Sequence, residues 1–175
     1  MQRPRAQQQF QLVAEYSDGS ARDVIAGVCG ECLGTGSIDI RGEGYPCSHR
    51  YHGVDLVAGP GVDQVVDGPE VDPPFAVDVV ISCEVFEHTT EWPEIVENAF
   101  GVLMPGGRLV VTMATTGRAP HSAVDGGALR DGEFYGNVEL GVLVTMAEAC
   151  GFTTAYCRSF ADRGDLYAIF RKPAK

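Results

Sequence analysis

The chain has 175 residues, of which 45% are hydrophobic and 21% are charged, values that are typical of a single globular domain. Aspartate and glutamate outnumber lysine and arginine by 24 to 13, so the formal net charge is −11. This charge argues against a nucleic-acid partner, because binding to a phosphate backbone relies on lysine and arginine. No apolar stretch reaches the roughly 20 residues that cross a membrane. The sequence has no signal-peptide pattern either, so we expect a cytoplasmic protein that does not bind membranes.

The first part of the chain carries weak structural signals. Residues 1–9 are polar and rich in glutamine, which predicts a disordered tail, and we expect residues 10–175 to form a single domain. The spacing of apolar residues over Phe10 to Tyr16 predicts a short helix. Two β-strands are expected further on, over residues 51–57 and 62–67.

The clearest pattern begins at residue 77 and predicts a strand followed by a helix. Residues 77–82 are mostly apolar and β-branched, as in a strand that is buried on both faces. Thr89 or Thr90 is placed to cap the following helix, and Pro93 falls in its first turn, where a missing N–H does no harm. The apolar residues of this segment recur at helical spacing and would form one face of the helix. They are Trp92, Ile95, Val96, Ala99 and Leu103.

A tight turn and a second strand complete this unit. Pro105-Gly106-Gly107 predicts the turn, and residues 108–112 predict another buried strand. Strand, helix and strand in this order form a βαβ unit of a parallel sheet. Such sheets bind ligands at the carboxyl ends of their strands, and the residues there are Ser82, Cys83, Glu84 and His88.

The C-terminal third predicts a loop, a helix and a hairpin. Residues 115–136 are rich in glycine and lack periodicity, so we expect a long loop, and we interpret it as a cover over a ligand site with contacts from His121, Tyr135 and Asn137. Residues 140–147 have a helical apolar face that ends at Gly151. Residues 153–160 and 165–171 predict two antiparallel strands. The whole pattern is that of an α/β fold.

Three motifs resemble the class I S-adenosylmethionine-dependent methyltransferase family. They are G-V-D-L at residues 53–56, E-V-F-E-H at residues 84–88 and L-M-P-G-G at residues 103–107, and the resemblance covers about Leu33 to Phe170. It implies a doubly wound, Rossmann-like sheet that is mostly parallel and ends in an antiparallel hairpin. It also implies S-adenosyl-L-methionine as the cofactor and methyl transfer to an oxygen or nitrogen atom of a small molecule or of an exposed group on a larger one.

The resemblance also implies roles for individual residues. The glycine-rich turn with Gly34, Gly36 and Ser37 would approach the methionine part of the cofactor. Asp55 would accept hydrogen bonds from the two ribose hydroxyls, and Asp67 would accept from the adenine amine. Ser82 and Cys83 would line the cofactor site. Glu84 and His88 would be catalytic, with His88 as a general base.

Other functions remain open at this point. Cys29, Cys32, Cys47 and His49 have a spacing that is compatible with zinc, so a zinc-binding interaction module is one alternative. We interpret these cysteines as reduced thiols and assign no metal ligands. A different nucleotide-binding domain, such as one for NAD, is another alternative. The glycine turn departs from the usual family pattern, so a methyltransferase fold retained as a scaffold is a third.

Overall fold

A computed structural model describes residues 52–58, 62–75 and 77–174, and the backbone of residues 13–15 and 21–23. The chain divides into two compact units, one of which spans residues 9–66 and the other residues 67–175. The expected disordered tail lies outside the described residues. The expectation of a single domain over residues 10–175 stays a prediction.

Within the unit of residues 9–66, the described elements are two short strand pairs. Strand β1 (Val13–Glu15) pairs antiparallel with β2 (Ala21–Asp23). The prediction of a helix over Phe10 to Tyr16 is therefore wrong. The apolar residues of this segment have helical spacing. Spacing along the chain does not reveal pairing with another strand, and the backbone of three residues here pairs with β2.

The second pair contains one of the predicted cofactor contacts. Strand β3 (Val54–Asp55) runs parallel to β4 (Gln64–Val65), and Asp55 is opposite Val65. The connection is held by Asp63, whose carboxylate accepts the Gly53 N–H at 2.8 Å. Both predicted strands are present in this region, although each is shorter than expected.

The unit of residues 67–175 contains a four-stranded sheet. Strand β5 (Val77–Cys83) leads through a 3-10 turn (Phe86–His88) to helix α1 (Trp92–Val102) and then to strand β6 (Leu103–Ala114). Helix α2 (Leu140–Ala149) and strands β7 (Thr153–Phe160) and β8 (Asp165–Arg171) follow. The spatial order is β5-β6-β8-β7, in which β5 and β6 are parallel and β8 is antiparallel to both of its neighbours.

This architecture confirms the predicted α/β fold with a βαβ unit and a C-terminal antiparallel hairpin. The core of the unit lies where α1 and α2 pack on the sheet. It contains the buried side chains of Phe86, Val96, Ala99, Leu103, Leu109, Val111, Met113, Leu143, Ala147, Phe152, Leu166 and Phe170. Strand β6 is buried continuously from Leu109 to Ala114, as expected, whereas β5 is at most half-buried and its Ile81 is exposed. Burial on both faces is therefore a correct prediction for β6 and a wrong one for β5, which lies at the edge of this sheet.

Two local predictions need correction. Neither threonine caps α1, because Glu91 occupies the cap position without a side-chain bond and Thr89 Oγ1 instead accepts the Glu91 N–H. The predicted turn at Pro105-Gly106-Gly107 is absent, because these residues lie inside β6, where Gly106 has a φ of 86° and the register with β5 shifts. A positive φ suits glycine, so the three residues form a bulge in one long strand.

Helices α1 and α2 contain 11 and 10 residues. In the part of the chain that the structure describes, no helix has the length and apolarity needed to cross a membrane.

Candidate active site

Three buried or half-buried polar residues gather where β5 ends. Glu84 follows the last residue of the strand and has a φ of 52°, which is unusual for a residue with a side chain. Its N–H donates to the Thr112 carbonyl of β6 at 2.7 Å, which holds this strained residue against the neighbouring strand. Glu87 and His88 follow in the 3-10 turn. Because Glu84 is not helical, Glu84 and His88 do not share one face of a helix.

Glu84 is paired with a cation from the following loop. Its side chain is almost entirely buried, and its Oε2 lies 3.7 Å from the Arg118 guanidinium. Arg118 also contacts the Asp165 carboxylate at 3.1 Å. Burial raises the pKa of Glu84, while the positive charge of Arg118 opposes that rise. Arg118 therefore joins the end of β5 to the start of β8.

Within the described residues, Glu87 has no cationic partner. It is completely buried, and its Oε1 accepts the Ala114 N–H at 3.1 Å. Its Oε2 makes no hydrogen bond to any residue in the described ranges. Burial, and then the negative charge of Glu84, raise the pKa of Glu87 to about 8. At neutral pH, Glu87 is therefore mostly protonated when no cation is near.

His88 is surrounded by rings from the loop that precedes α2. Its ring centroid lies 5.0 Å from that of His121 and 5.6 Å from that of Tyr135, and both contacts are edge-to-face. Burial, and then the proximity of His121, lower the pKa of His88. Among the described residues neither ring nitrogen makes a hydrogen bond of normal geometry, although the Phe134 backbone interacts with the ring and opposes the fall in pKa. His88 is thus a neutral imidazole with a free lone pair, as a general base requires.

The expected long loop, residues 115–136, contains turns and no regular helix or strand. The Thr115 N–H donates to the Gly164 carbonyl at 2.8 Å, and the Gly136 N–H donates to the Glu87 carbonyl at 2.8 Å. These bonds anchor the loop at both ends and place His121 and Tyr135 over the 3-10 turn. Whether the loop covers an acceptor stays a prediction.

Tyr135 and Asn137 complete this side of the site. The Tyr135 hydroxyl donates to Asn137 Oδ1 at 2.9 Å, and the Asn137 amide donates to the Arg118 carbonyl at 3.1 Å. Burial raises the pKa of Tyr135 to about 12, so this phenol stays protonated at neutral pH. All three residues suggested from the loop sequence therefore lie around the E-V-F-E-H turn or its Arg118 neighbour.

The predicted cofactor contacts differ in environment. Ser82 and Cys83 are half-buried at the end of β5, next to Glu84. Asp55 is exposed at the end of β3, and its Oδ1 accepts the Val57 N–H at 3.0 Å. A carboxylate has further lone pairs, so Asp55 retains acceptors that fit a ribose diol. Gly34, Gly36 and Ser37 lie outside the described residues, as do all four candidate zinc ligands, Cys29, Cys32, Cys47 and His49.

Asp67 makes a local contact that competes with its predicted role. Its exposed carboxylate accepts the Gly68 N–H at 2.8 Å and caps the 3-10 turn Gly68–Glu70. This is the structural function of many loop aspartates. The remaining lone pairs of the carboxylate stay available to a ligand.

Sequence reasoning missed two residues of this site. Glu87 is the second acid of E-V-F-E-H, and its neighbour Phe86 is a large apolar residue. Phe86 is buried in the structure, so an apolar neighbour was the signal that this turn faces the interior. Arg118 is the only lysine or arginine between residues 109 and 129. A single cation in a loop that follows a strand end is a candidate partner for a buried acid.

Comparison with known proteins agrees with the resemblance that the motifs indicate. Residues 47–111 match the family model described as a methyltransferase domain. That match contains the G-V-D-L and E-V-F-E-H motifs and most of the βαβ unit. This part of the chain is similar to methyltransferase domains, in agreement with the resemblance to class I S-adenosylmethionine-dependent methyltransferases. The match also agrees with S-adenosylmethionine as the cofactor expected from the sequence.

Solved structures of the methyltransferase fold agree. An S-adenosylmethionine-dependent methyltransferase from Mesorhizobium loti is similar with a TM-score of 0.51 and 16% identity, over 69% of this chain and 79% of the other. A 1,6-didemethyltoxoflavin-N1-methyltransferase from Burkholderia thailandensis, solved with its substrate and S-adenosylhomocysteine, is similar with a TM-score of 0.50 and 17% identity, over 69% and 60%. These similarities confirm the Rossmann-like class I methyltransferase fold.

The N-methyltransferase NodS from Bradyrhizobium japonicum also matches, with a TM-score of 0.43 and 22% identity, over 63% of this chain and 53% of the other. This chain thus spans 53% of the length of NodS and 60% of the length of the 1,6-didemethyltoxoflavin-N1-methyltransferase. No curated protein matches this chain.

Proposed function

We propose that this protein transfers a methyl group from S-adenosylmethionine to an oxygen or nitrogen atom of a small molecule, or of an exposed group on a larger one. The observation that carries the proposal is the neutral His88, with both ring nitrogens unpartnered in the described part of the chain, beside the buried Glu84 at the end of β5. Ligands of α/β sheets bind at this edge, beyond the carboxyl ends of the strands.

The protein's residues would have distinct tasks. The sulfonium cofactor supplies an activated methyl group, so the protein mainly has to hold the acceptor in line and receive its proton. His88 would accept that proton. Arg118 and the Thr112 carbonyl hold Glu84 in position. The Glu84 carboxylate would then offset the positive charge that His88 gains with the proton. Asp55 and Asp67 would bind the ribose and adenine, and Ser82 and Cys83 would line the same site.

The net charge of −11 favours an acceptor that is not a nucleic-acid backbone. A cytoplasmic location belongs to the same proposal. The alternative is a catalytically degenerate methyltransferase fold retained as a scaffold, which would bind no cofactor.

Calorimetric titration separates these functions. We expect S-adenosylhomocysteine and S-adenosylmethionine to bind and NAD not to bind. Binding of NAD without S-adenosylhomocysteine would overturn the proposal, and binding of neither compound would favour the scaffold.

Methyl transfer is then measured as the S-adenosylhomocysteine that forms with each member of a panel of phenols, alcohols and amines. With an accepted substrate, His88→Asn is expected to lower kcat by about 10²–10⁴-fold and leave the affinity for S-adenosylhomocysteine unchanged.

A further inference from the structure

Glu87, His88 and His121 form a cluster of potential metal ligands. One ligand atom from each residue lies within 4.8 Å of the other two. In a tetrahedral site, bonds of about 2.0–2.2 Å place the ligand atoms about 3.3–3.6 Å apart, so the side chains have to close in by about 1 Å to share one ion. Two separate segments supply the ligands, the 3-10 turn after β5 and the loop before α2.

The unmet hydrogen-bonding capacity of this cluster is unusual for a protein interior. Glu87 is completely buried, yet within the described ranges its Oε2 makes no hydrogen bond of normal geometry, and the same holds for both ring nitrogens of His88, although the Glu84 side chain and the Phe134 backbone interact with these two residues. Buried polar atoms nearly always have a partner, and an exception calls for an explanation such as an ion. A cation between these atoms would satisfy the carboxylate and one imidazole together.

The orientation of the ligands also fits an ion. His121 Nδ1 lies 3.1 Å from the Ala119 carbonyl, which can only accept, so Nδ1 carries the proton and Nε2 keeps its lone pair. Glu87 Oε1 accepts the Ala114 N–H, which leaves Oε2 as the ligand atom. In metal sites the second atom of each ligand is typically held in this way by a backbone group.

The ligand types indicate the class of ion. Two imidazoles and one carboxylate suit zinc and the other divalent transition metals, whereas magnesium and calcium prefer oxygen ligands. Three protein ligands also leave positions open for a further ligand, as in catalytic metal sites. Glu84 is not in the set, since its carboxylate faces Arg118.

We propose that Glu87, His88 and His121 bind one divalent transition-metal ion. Ion binding does not depend on the proposed methyl transfer. In the metal-bound protein the lone pair of His88 is occupied, so His88 is then a ligand and no longer a general base. A hydroxyl acceptor on an open position of the ion would instead lose its proton because the ion lowers its pKa, and this consequence does rest on the proposed function.

Titration of the protein with Co²⁺ tests the site, because the visible spectrum of Co²⁺ reports its ligands. We expect one Co²⁺ per chain with a spectrum of nitrogen and oxygen ligands, and no displacement by a large excess of Mg²⁺. Glu87→Gln keeps the Oε1 acceptor for the Ala114 N–H, and it should lower the Co²⁺ affinity at least about tenfold. His121→Gln should have a similar effect. Circular dichroism and urea denaturation check that each variant folds.

Two controls exclude other sites on the chain. His52→Gln changes a histidine outside the cluster, whose ring contacts Gln64 at 3.1 Å, and should bind Co²⁺ as the wild type does. The double variant Cys29→Ser/Cys32→Ser removes the alternative zinc ligands and should also bind normally. The proposal is overturned by an absence of Co²⁺ binding, by a thiolate-to-cobalt band that disappears in the cysteine variant, or by unchanged affinity in Glu87→Gln and His121→Gln. Titration with S-adenosylhomocysteine, run separately, keeps failure of the metal site distinct from failure of the proposed function.

Discussion

Two acidic regions of this molecule place carboxylates near the ends of strands, in opposite environments. Asp55 and Asp67 are exposed, and each accepts a hydrogen bond from a backbone N–H one or two residues further along the chain. Glu84 and Glu87 are buried, and their contacts come from β6 and from the loop that follows it. The exposed pair can bind a ligand at little cost to folding, whereas burial of the second pair costs free energy that a charge partner has to offset.

The largest expected effect is a pH dependence caused by Glu87. In buffer with a chelator, the free energy of unfolding should fall as the pH rises from about 4.5 to about 8. The folded protein keeps Glu87 protonated up to about pH 8, whereas the unfolded chain releases the proton near 4.5, so the folded state binds more protons in this window. The slope is at most about 1.4 kcal/mol per pH unit.

Urea denaturation at about pH 5, 6.5 and 8 measures this slope, and Glu87→Gln should flatten it. His88 acts in the opposite direction, because its lowered pKa makes the folded state bind fewer protons below the ordinary value of 6.5. The interval from about pH 6.5 to 8 therefore largely excludes His88, and the expected change from Glu87 is up to about 2 kcal/mol. Glu84, whose pKa is also raised, acts in the same direction, so the difference between wild type and Glu87→Gln gives the part due to Glu87. A slope that is identical in Glu87→Gln would show that Glu87 is already ionised in the folded protein.

Removal of Arg118 should have the next largest effect. Arg118→Ala leaves the buried Glu84 and the partly buried Asp165 without their cation, which is expected to lower the free energy of unfolding by about 2–3 kcal/mol. Arg163→Ala is the matched control, since Arg163 and Asp162 form an exposed pair at 3.6 Å. That variant should remain within about 1 kcal/mol of wild type. Urea denaturation at neutral pH compares the two, and equal stabilities would mean that the Arg118 contacts are fully screened.

The smallest expected effect comes from the exposed region and concerns binding. Asp55→Ala should lower the affinity for S-adenosylhomocysteine at least about tenfold, which corresponds to 1.4 kcal/mol, because it removes the proposed acceptor of both ribose hydroxyls. Stability should change little, since Asp55 is exposed. Calorimetry measures the affinity. Asp72→Ala, at another exposed position, is the control and should bind normally; Asp63 is unsuitable because it holds the Gly53 N–H. Normal binding by Asp55→Ala would remove Asp55 from the cofactor site.

Local patterns were sufficient for much of the fold. Val77 to Cys83, the helix from Trp92, the C-terminal hairpin and the end of α2 at Gly151 follow from periodicity and glycine chemistry, and Gly151 indeed has a φ of 103°. The error over Phe10 to Tyr16 arose where the decisive interaction is pairing with another strand. The Thr89 cap was misplaced by a shift of two residues at a helix start, which is the least predictable part of an element.

The sequence by itself determined the family motifs, the βαβ order and the position of Glu84 and His88 at a strand end, because these depend on neighbours along the chain. Only the tertiary structure decided which acid has a partner. Arg118 reaches Glu84, while a carboxylate oxygen of Glu87 lies within 4.8 Å of a ring nitrogen of His88 and of His121. Burial and charge depend on which distant segments meet, and for this site they depend on the path of the loop between β6 and α2.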